Sequence, residues 1–404
     1  MKKSLSIILC LLSSVTFCFS QIKVEPINEY LELEHSCKTS ITHRSFKSFY
    51  LNKSGKLYVL DKIEKDDKKN ENLIFVVYSQ NSIDTTVFSL FTVMDHISNS
   101  SVVIDSLNGV FENYKEIKAF TYNDTSINSN HYYFIQSNFN NRKTINNIYY
   151  GMKCNLNGEA YAKKTNTEVI CYDFNTKRWK ELLLPDPPAV EMACFQPRNL
   201  IDTDGKYYYI AEPLKYKINI YNSQGDSTEN ISYKDSLFSQ KLFDTTTWDV
   251  FKNTMLEYNH PLAIVQKFEH LINNNFSLWK IDVVSDSVML ILWSNGRQNS
   301  LLQFYVDVWK KKMGKWEIKR RFDLYDKEIN TDQILTKYNF TTIHNMYYIQ
   351  NNKFIILSSL PPDPTKYFNT GMTVGEFNKL TENHLKKNDV TYDILIYDMS
   401  KLLE

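Results

Sequence analysis

The segment 199–225 constrains the fold more than any other part of this chain, because it contains two strand patterns joined by turns. A turn signal opens the run 206–211, whose aromatic and β-branched residues alternate between two faces, as in a half-buried strand. Pro213 cannot donate to a strand ladder and therefore ends this strand. The run 218–221 alternates again and is closed by turn residues. The unit is turn, strand, short loop, strand, turn.

The same hairpin pattern recurs along the chain. Its second strand alternates apolar residues, reaches an aromatic residue and ends in a polar turn, reading EVICYDFNT from Glu168, YKINIYNSQ from Tyr216, YVDVWKKKM from Tyr305 and YDILIYDMS from Tyr392. Hairpins repeated in a fixed register are typical of radial β repeats, because neighbouring sheets bury faces that one hairpin cannot bury alone. The sequence therefore predicts an all-β fold, a β-propeller with blades of four antiparallel strands. Six blades suit the length best, although seven or eight smaller ones stay open.

Closure of the ring is predicted at the strand near Tyr392. This strand comes almost at the end of the sequence, and pairing with a strand near the beginning would remove an exposed sheet edge. The whole of 21–404 is then a single propeller domain.

Two stretches interrupt the strand pattern with helical features. Apolar residues recur at helical spacing within 244–274, and a capping-box pattern starts a short helix within 373–387. Both are predicted to be short helical insertions in the propeller. Because departures from a scaffold's repeat tend to carry function, a partner site is expected on these insertions.

Residues 1–20 have the organisation of a secretory signal peptide. Two lysines precede a short apolar stretch, and small residues ending at Ser20 provide a cleavage site before Gln21. A lipid-modified Cys18 is the alternative, although the bulky Phe17 fits a lipobox poorly. The apolar stretch is too short to span a membrane, and the mature chain contains no other candidate. We expect an exported protein located in the periplasm, on the cell surface or outside the cell.

Charge and composition exclude some classes of function. The formal net charge is +1, with 47 Lys and Arg against 46 Asp and Glu, so no nucleic-acid partner is predicted, since that would need a dominant basic face. Local charge runs, such as 64–69 and 310–315, are interpreted as solvated turns rather than docking patches. The chain is 43% hydrophobic and 14% aromatic, which is enough to bury a large core.

Four cysteines remain after the signal segment, namely Cys37, Cys154, Cys171 and Cys194. An oxidising compartment favours disulfides, and Cys154 with Cys171 is the most local candidate pair. Free buried thiols are the alternative. The absence of a CxxC or Cys/His arrangement argues against a metal or redox role.

The repeat unit resembles the exported bacterial six-bladed, TolB-like β-propeller proteins. The resemblance rests on YYYIA from Tyr207, INIYN from Ile218 and the signal junction after Ser20. It implies a six-bladed exported protein, a group in which many members have no assigned chemistry. A kelch-type propeller is the near alternative, because 169–179 is similar to the closing strands of a kelch blade, but the kelch double glycine is absent. With only 10 Gly, Asn must supply many left-handed turn positions.

No sequence motif specifies a reaction. The chain lacks GxSxG, HExxH, an EF-hand loop and a glycine-rich phosphate loop, and its 8 histidines are dispersed. No catalytic residue, metal ligand or cofactor is therefore predicted. Trp248 and Trp309 are candidates for an aromatic ligand platform, together with Trp293, although inter-blade core is the commoner role of such residues.

The predicted function is a secreted, non-enzymatic scaffold that binds a protein, peptide or glycan. The alternative is a propeller-fold glycan hydrolase or lyase, which would need two carboxyl groups about 5 to 10 Å apart in a cleft. A purely structural envelope component differs from the scaffold only in having no partner. Converging carboxylates would favour the enzyme, whereas dispersed ones would favour the scaffold. The ligand, the disulfide connectivity and the oligomeric state stay open.

Overall fold

The structure is a computed structural model that describes residues 22–42, 49–51, 56–65, 71–78, 83–90, 102–105, 108–112, 116–123, 126–133, 141–154, 166–185, 200–212, 216–234, 276–298, 301–323, 347–350, 352–358 and 391–404. These residues form strands almost throughout. A 3-10 helix at Ile27–Tyr30 and an α-helix at Ser400–Leu403 are the helical elements among them.

The strands in chain order are β1 (Val24–Pro26), β2 (Glu32–Thr42), β3 (Phe49–Leu51), β4 (Leu57–Lys65), β5 (Glu71–Tyr78), β6 (Ile83–Leu90), β7 (Val102–Asp105), β8 (Asn108–Glu112), β9 (Glu116–Asn123), β10 (Ser126–Tyr133), β11 (Asn141–Ile145), β12 (Ile148–Cys154), β13 (Asn166–Asp173), β14 (Arg178–Pro185), β15 (Ile201–Thr203), β16 (Tyr208–Glu212), β17 (Lys217–Tyr221), β18 (Ser227–Ser232), β19 (Phe276–Ser285), β20 (Val288–Gln298), β21 (Leu301–Lys312), β22 (Lys315–Asp323), β23 (Tyr347–Gln350), β24 (Lys353–Ser358) and β25 (Thr391–Asp398).

The strands form successive antiparallel sheets, each built around four strands. Sheet 1 is β3 to β6, sheet 2 is β7 to β10, sheet 3 is β11 to β14, sheet 4 is β15 to β18, sheet 5 is β19 to β22, and sheet 6 has the order β23-β24-β25-β2. Strand β1 adds to the outer edge of sheet 5 in parallel with β22. The protein is therefore an all-β propeller with few helices.

Sheet 6 combines the two ends of the described chain. Strand β2 pairs antiparallel with β25, with Glu32 opposite Asp398 and Leu33 opposite Tyr397. Lys353 on β24 contacts both β25 and β2, since its ammonium group lies 2.6 Å from a carboxylate oxygen of Asp398 and 2.6 Å from one of Glu34. The predicted pairing of the strand near Tyr392 with an early strand is confirmed.

Several tight turns depend on residues in the left-handed region. Asn146, Asn147 and Asn352 have φ values of 50°, 61° and 59°, and Gly205 has a φ of 92°. Asparagine tolerates this conformation better than most residues with a side chain. The prediction that asparagine supplies left-handed turn positions is confirmed at these three sites.

The described core lies between neighbouring sheets. One apolar cluster joins sheets 3, 4 and 5 through residues such as Met152, Ile218 and Ile291, which are fully buried. A second cluster joins sheets 5 and 6, where Trp279 packs with Phe354 and their neighbours. Removal of these faces from water is the main force that holds blade to blade.

The connections divide between two ends, because consecutive strands run in opposite directions. At the tight-turn end the connections are short, for example 146–147, 174–177, 204–207, 222–226, 286–287 and 313–314. The opposite end of the sheets, called the long-connection end, is where the described strands on either side of 155–165, 186–200, 233–275, 324–346 and 359–390 end and begin. Sheets 3, 4 and 5 share this orientation, since Lys143, Asp202 and Val283 each lie just before the first tight turn of their sheet and contact one another.

Three predicted segments lie outside the described residues. They are the signal peptide at 1–20 and the helical insertions at 244–274 and 373–387. Within the described ranges, no helix is long and apolar enough to cross a membrane.

Candidate functional site

A cluster of charged side chains lies where the first strands of sheets 3, 4 and 5 meet. The ammonium group of Lys143 on β11 donates to Asp202 Oδ2 on β15 at 3.1 Å, to the carbonyl oxygen of Thr203 at 2.9 Å and to that of Val283 on β19. The Asp202 carboxylate also accepts the N–H of Val283 at 2.5 Å and that of Thr203 at 2.8 Å. One lysine and one aspartate thus connect three sheets.

This cluster provides hydrogen-bond partners for the backbone at the free edge of a first strand. A first strand has a neighbour on one side only, so alternate N–H and C=O groups face away from its sheet. Buried backbone groups of this kind need partners. At Val283 both groups are bonded across the gap, the N–H by Asp202 and the C=O by Lys143. The two side chains act in place of a missing strand.

Asp202 is the buried member of the cluster. Its residue is 2% exposed. Burial raises the pKa of the Asp202 carboxyl group, the positive charge of Lys143 opposes this rise, and Asp282 adds to it. The side chain of Lys143 is 28% exposed, so its ammonium group keeps contact with solvent. The cluster therefore places a partly hydrated cation over a desolvated carboxylate.

A second ion pair lies on β19 beside the first. Lys280 Nζ is 3.1 Å from Asp282 Oδ1, and the two side chains are 3% and 14% exposed. Asp282 is near enough to Asp202 to act on its carboxyl group electrostatically. Two lysines and two aspartates leave no net charge when all four are ionised. We therefore infer that this cluster does not attract small ions by charge alone.

The chemistry open to this cluster follows from its pairing. Two neighbouring carboxyl groups, Asp202 and Asp282, are the residue type that glycan cleavage requires. Each one, however, contacts a lysine, and Asp202 accepts two backbone N–H groups as well. The Asp202 contacts link β11, β15 and β19 and occupy both of its oxygens, whereas the Lys280–Asp282 contact lies within β19 and engages Asp282 Oδ1. Across the described part of the chain, no group of three or more His, Cys, Asp or Glu side chains is arranged to hold a metal ion.

A second polar network lies between sheets 4 and 5 and is completely buried. Arg321 Nε and Nη2 donate to Asp307 Oδ1 and Oδ2 at 2.7 and 2.9 Å, and both side chains are 0% exposed. The Tyr216 hydroxyl donates to Asp307 Oδ2 at 2.7 Å and accepts the N–H of Trp309 Nε1 at 2.8 Å. Burial raises the pKa of Tyr216, and Asp307 raises it further, so the hydroxyl stays protonated and able to donate. This network joins the sheets from inside.

The structure corrects the candidate disulfide between Cys154 and Cys171. Cys171 is a free, buried cysteine whose sulfur lies 3.7 Å from the Tyr208 hydroxyl. Strand pairing places Cys171 opposite Tyr150 and Cys154 opposite Thr167. Each residue advances a strand by about 3.3 Å, so the two cysteines are too far apart for the Cα separation of less than about 7 Å that a disulfide needs. The alternative, a free buried thiol, describes Cys171.

The tryptophans predicted as a ligand platform have different outcomes. Trp309 is 3% exposed, and its ring packs at 5.8 Å from the ring of Tyr216 and 5.8 Å from that of Tyr233. Trp293 is fully buried and stacks on Tyr305 at 4.4 Å. The alternative role, inter-blade core, describes both residues. Trp248 lies outside the described residues.

Sequence patterns do not identify the charged cluster. The sequence signal for Asp202 is a charged residue between two apolar or β-branched ones, immediately before a turn. Lys143 lies in a polar stretch that gives no sign of partial burial. The two residues are 59 positions apart, and they meet only because adjacent blades pack side by side.

No family model and no curated protein matches this chain. Solved structures match it at low identity. A Bacteroides fragilis protein that is assigned as exported has 10% sequence identity and a TM-score of 0.41, and the match covers 93% of this chain and 97% of that one.

Two further matches are lactonases by assignment. The Bacteroides uniformis protein, assigned as a 6-phosphogluconolactonase, has 8% identity and a TM-score of 0.35, covering 77% of each chain. The periplasmic gluconolactonase PpgL of Pseudomonas aeruginosa has 9% identity and a TM-score of 0.36, covering 79% of this chain and 82% of that one. Likenesses at this level do not indicate what this chain binds or catalyses.

Proposed function

We propose that this protein is an exported, non-enzymatic β-propeller that binds a protein, peptide or glycan at its long-connection end. The observation that carries the proposal is topological. Segments 233–275 and 359–390, which contain both predicted helical insertions, leave the sheets at the same end. A rigid scaffold that carries its longest connections on one end has the usual organisation of a binding protein, because recognition residues are concentrated on loops held by a fixed framework.

The strand directions support this placement. Segment 233–275 follows the last strand of sheet 4 and enters β19 at Phe276, the end of β19 farthest from the charged cluster. Segment 359–390 leaves β24 after Ser358, the end of β24 farthest from the turn at Asn352. Because successive sheets repeat the same strand order, both segments belong to the long-connection end.

The proposed scaffold is a closed ring of six blades. Support comes from the six sheets of the described chain and from contacts between successive first strands, β3 with β7, β7 with β11, β11 with β15 and β15 with β19. Sheet 6 takes its fourth strand, β2, from early in the chain. An experimental structure that counts the sheets around the axis tests the blade number, and a count of four, five, seven or eight would contradict it.

The aromatic ligand platform is proposed at Trp248, which lies in segment 233–275. Trp309 is left out because its ring packs in the core between sheets and its N–H already bonds to Tyr216. Trp248→Ala is expected to weaken partner binding at unchanged thermal stability. A matched substitution at an exposed position of the tight-turn end, Lys206→Glu, is expected to leave binding unchanged.

Export is proposed on the basis of the signal pattern in residues 1–20. Expression of the complete chain with fractionation, followed by N-terminal sequencing of the exported product, tests it. A mature protein beginning at Gln21 is expected. A product beginning at a lipid-modified Cys18 would instead support the lipoprotein alternative, and a cytoplasmic product that retains residues 1–20 would contradict export.

The second candidate function, glycan cleavage, has one specific observation in its favour. Asp202 and Asp282 are neighbouring carboxyl groups at the inner edges of two sheets. Their lysine contacts favour a structural role, so the scaffold is preferred. If the cluster is catalytic, Asp202→Asn and Asp282→Asn will each abolish release of reducing sugar from glycan substrates while the protein stays folded.

The decisive experiment is a crosslinking pull-down of the mature protein from its native envelope and medium. It is run beside a variant lacking 244–274, whose folding is first checked by circular dichroism and thermal unfolding, and beside Lys206→Glu. A partner captured by the parent and by Lys206→Glu, but not by the deletion variant, supports the proposal when the purified partner also binds saturably. Equal capture by the deletion variant would contradict the proposed location. Capture of nothing would count against the scaffold and direct the work to glycan cleavage.

A further inference from the structure

The hairpin turn between β21 and β22 carries the most exposed large apolar side chain among the described residues. Met313 is 95% exposed, whereas Leu183 and Leu33 are 53% and 51% exposed. Met313 and Gly314 have φ values of 50° and 80°. Two successive left-handed residues in a two-residue loop are characteristic of a type I′ turn, whose preferred sequence is Asn-Gly or Asp-Gly. Methionine is therefore unfavourable at this position.

The chain uses a better residue for the same geometry elsewhere. The turn between β11 and β12 has Asn146 and Asn147 in the left-handed region, and Asn352 has the same conformation before β24. Asparagine suits this region because its short polar side chain bonds locally, which a methionine cannot do. The occurrence of Met313 instead of asparagine indicates a requirement other than stability, since local rules tend to be broken at functional sites.

The charged residues beside Met313 are also placed unfavourably for stability. Lys312 and Lys315 are directly opposite each other across the hairpin, and both are exposed. Like charges in opposite positions of an antiparallel pair repel. Glu317, the nearest carboxylate on β22, lies 2.9 Å from the ammonium group of Lys319. The hydrogen bond from Lys319 is the main cause that lowers the pKa of Glu317, and the charges of Lys312 and Lys315 lower it further. The tip keeps a positive charge.

The base of the hairpin is fixed to its neighbours. Lys311 pairs with Glu229 of sheet 4 at 2.8 Å, and Lys310 donates to the main-chain oxygen of Glu404 at 2.6 Å. These contacts hold the hairpin to sheet 4 and to the residue that follows the helix Ser400–Leu403. The exposed methionine and its two lysines are therefore presented on a supported projection of the tight-turn end.

We propose that the hairpin tip, residues 312–315, docks on an anionic phospholipid surface. Met313 inserts into the interface between headgroups and acyl chains, while Lys312 and Lys315 contact the phosphates. An apolar residue surrounded by basic ones is the arrangement that interfacial membrane binding uses. An acidic polysaccharide would engage the lysines but would leave the methionine without an apolar phase, so the lipid surface is favoured. The solvated turn predicted for 310–315 is retained, with a docking role added.

Binding through one hairpin tip will be weak, reversible and sensitive to salt. One side chain inserts and the two lysines of the tip meet the headgroups, whereas stable anchoring needs a second signal. This docking site is at the opposite end from the proposed partner site, so both can be occupied at once. Failure of one proposal leaves the other standing.

The test is co-sedimentation of the mature protein with phosphatidylcholine vesicles that contain or lack phosphatidylglycerol, at low and at physiological salt. Binding is expected with the anionic vesicles only. Met313→Asn is expected to weaken it about tenfold, from the loss of one buried apolar side chain. Because asparagine suits the turn, this variant will fold at least as well as the parent. Leu183→Asn removes another strongly exposed apolar residue, far from the hairpin tip in the chain, and serves as the matched control, with unchanged binding.

Reversal of the charges at Lys312 and Lys315 is the second part of this vesicle-binding test. Lys312→Glu with Lys315→Glu is expected to abolish binding to anionic vesicles, and thermal unfolding of this variant confirms that it is folded. No binding of the parent to anionic vesicles would overturn the proposal. So would vesicle binding that Met313→Asn leaves unchanged. Binding of the parent to a soluble acidic polysaccharide that needs the lysines but not the methionine, with no vesicle binding, would reassign the tip to an anionic glycan.

Discussion

The buried network between sheets 4 and 5 and the charged cluster at the inner edges use the same chemistry in different surroundings. Asp307 and Arg321 are completely removed from water, and their bidentate contact is buried. Asp202 is almost as buried, but its partner Lys143 is 28% exposed. The Asp307–Arg321 pair lies within sheet 5 and is linked to sheet 4 by the Tyr216 hydroxyl, whereas Lys143 and Asp202 bind backbone groups at the free edges of β15 and β19.

This difference in exposure determines how much stability is lost when one partner of each ion pair is removed. Breaking a fully desolvated pair leaves a charge that no water can reach, while a partly exposed lysine that loses its partner can be hydrated. A ligand that approached the inner edge could therefore compete for Lys143, but none could reach Arg321. Lys353 and Asp398 on sheet 6 form a third pair, in which both side chains are partly exposed, at 24% and 28%.

Removal of Asp307 is expected to have the largest effect. Asp307→Ala leaves Arg321 charged and buried without its bidentate partner, and it also removes the acceptor of the Tyr216 hydroxyl. The free energy of unfolding is expected to fall by about 3–5 kcal/mol. Chemical denaturation at neutral pH measures it.

The apolar double variant Asp307→Leu with Arg321→Met is the control for this prediction. Removing both charges avoids the unpaired charge, so this variant is expected to be more stable than Asp307→Ala. A loss below about 1 kcal/mol in Asp307→Ala would show that the pair behaves like a surface ion pair. The contrast between the two regions would then fail.

Removal of Asp202 is expected to cost less. Asp202→Ala leaves the N–H of Val283 without its acceptor and Lys143 without its counter-charge, but Lys143 can turn to solvent. The free energy of unfolding is expected to fall by about 2 kcal/mol, the usual cost of a lost hydrogen bond to a charged group.

A double-mutant cycle separates the ion pair from the edge contact. Lys143→Met alone leaves Asp202 buried and able to be neutralised by protonation, which its raised pKa already favours. We expect coupling between Lys143→Met and Asp202→Ala to be clearly smaller than coupling between the corresponding changes at Arg321 and Asp307. Equal coupling in the two cycles would show that solvent access at Lys143 is not the deciding factor.

Removal of the Tyr216 hydroxyl is a smaller change to the buried network around Asp307 and Arg321. Tyr216→Phe deletes the donor to Asp307 and the acceptor of the Trp309 N–H, while the ring still stacks on Phe276. A loss of about 1 kcal/mol in the free energy of unfolding is expected, because the Asp307–Arg321 pair is retained. Tyr207→Phe, at a partly buried ring of sheet 4 that packs against the same cluster, is the matched control, and a similar loss there would contradict the assignment to the hydroxyl contact.

The repeat could be predicted from sequence because strand patterns are local. Alternation in segments 206–211 and 218–221 indicates which residues face which side, and the structure has strands β16 and β17 there. Turn positions follow from φ requirements that asparagine meets, as at Asn146 and Asn352. The partner of the strand near Tyr392 could also be predicted, since a free edge in a closed ring has few ways to be satisfied.

The charged cluster and the cysteine pairing could not be predicted, because both depend on register and on contacts between blades. Cys154 and Cys171 are close in sequence, yet the register places Cys154 opposite Thr167 and Cys171 four positions further along β13. Asp202 and Lys143 come from different sheets. Trp309 is the residue type expected in an aromatic ligand platform, and only its packing against Tyr216 shows that it belongs to the core.

The smallest expected effect is the pH-dependent contribution of the partly exposed pair Lys353–Asp398 on sheet 6 to the free energy of unfolding. Hydrogen bonds from Lys353 and then from Ser400 lower the pKa of Asp398 from 3.8 to about 2. A carboxyl group with a lowered pKa stabilises the folded state above its unfolded pKa, and this contribution is lost as the pH falls from near 3.8 toward 2. Comparing parent and Asp398→Asn by denaturation, we expect a difference of less than about 1 kcal/mol near neutral pH, because the pair is solvated, and a smaller difference as the solution is acidified. A difference that stayed constant down to about pH 2 would mean that Asp398 is not the group responsible for the pH dependence of stability. A difference as large as that of Asp307→Ala would mean that burial does not determine how much each of the three ion pairs contributes to stability.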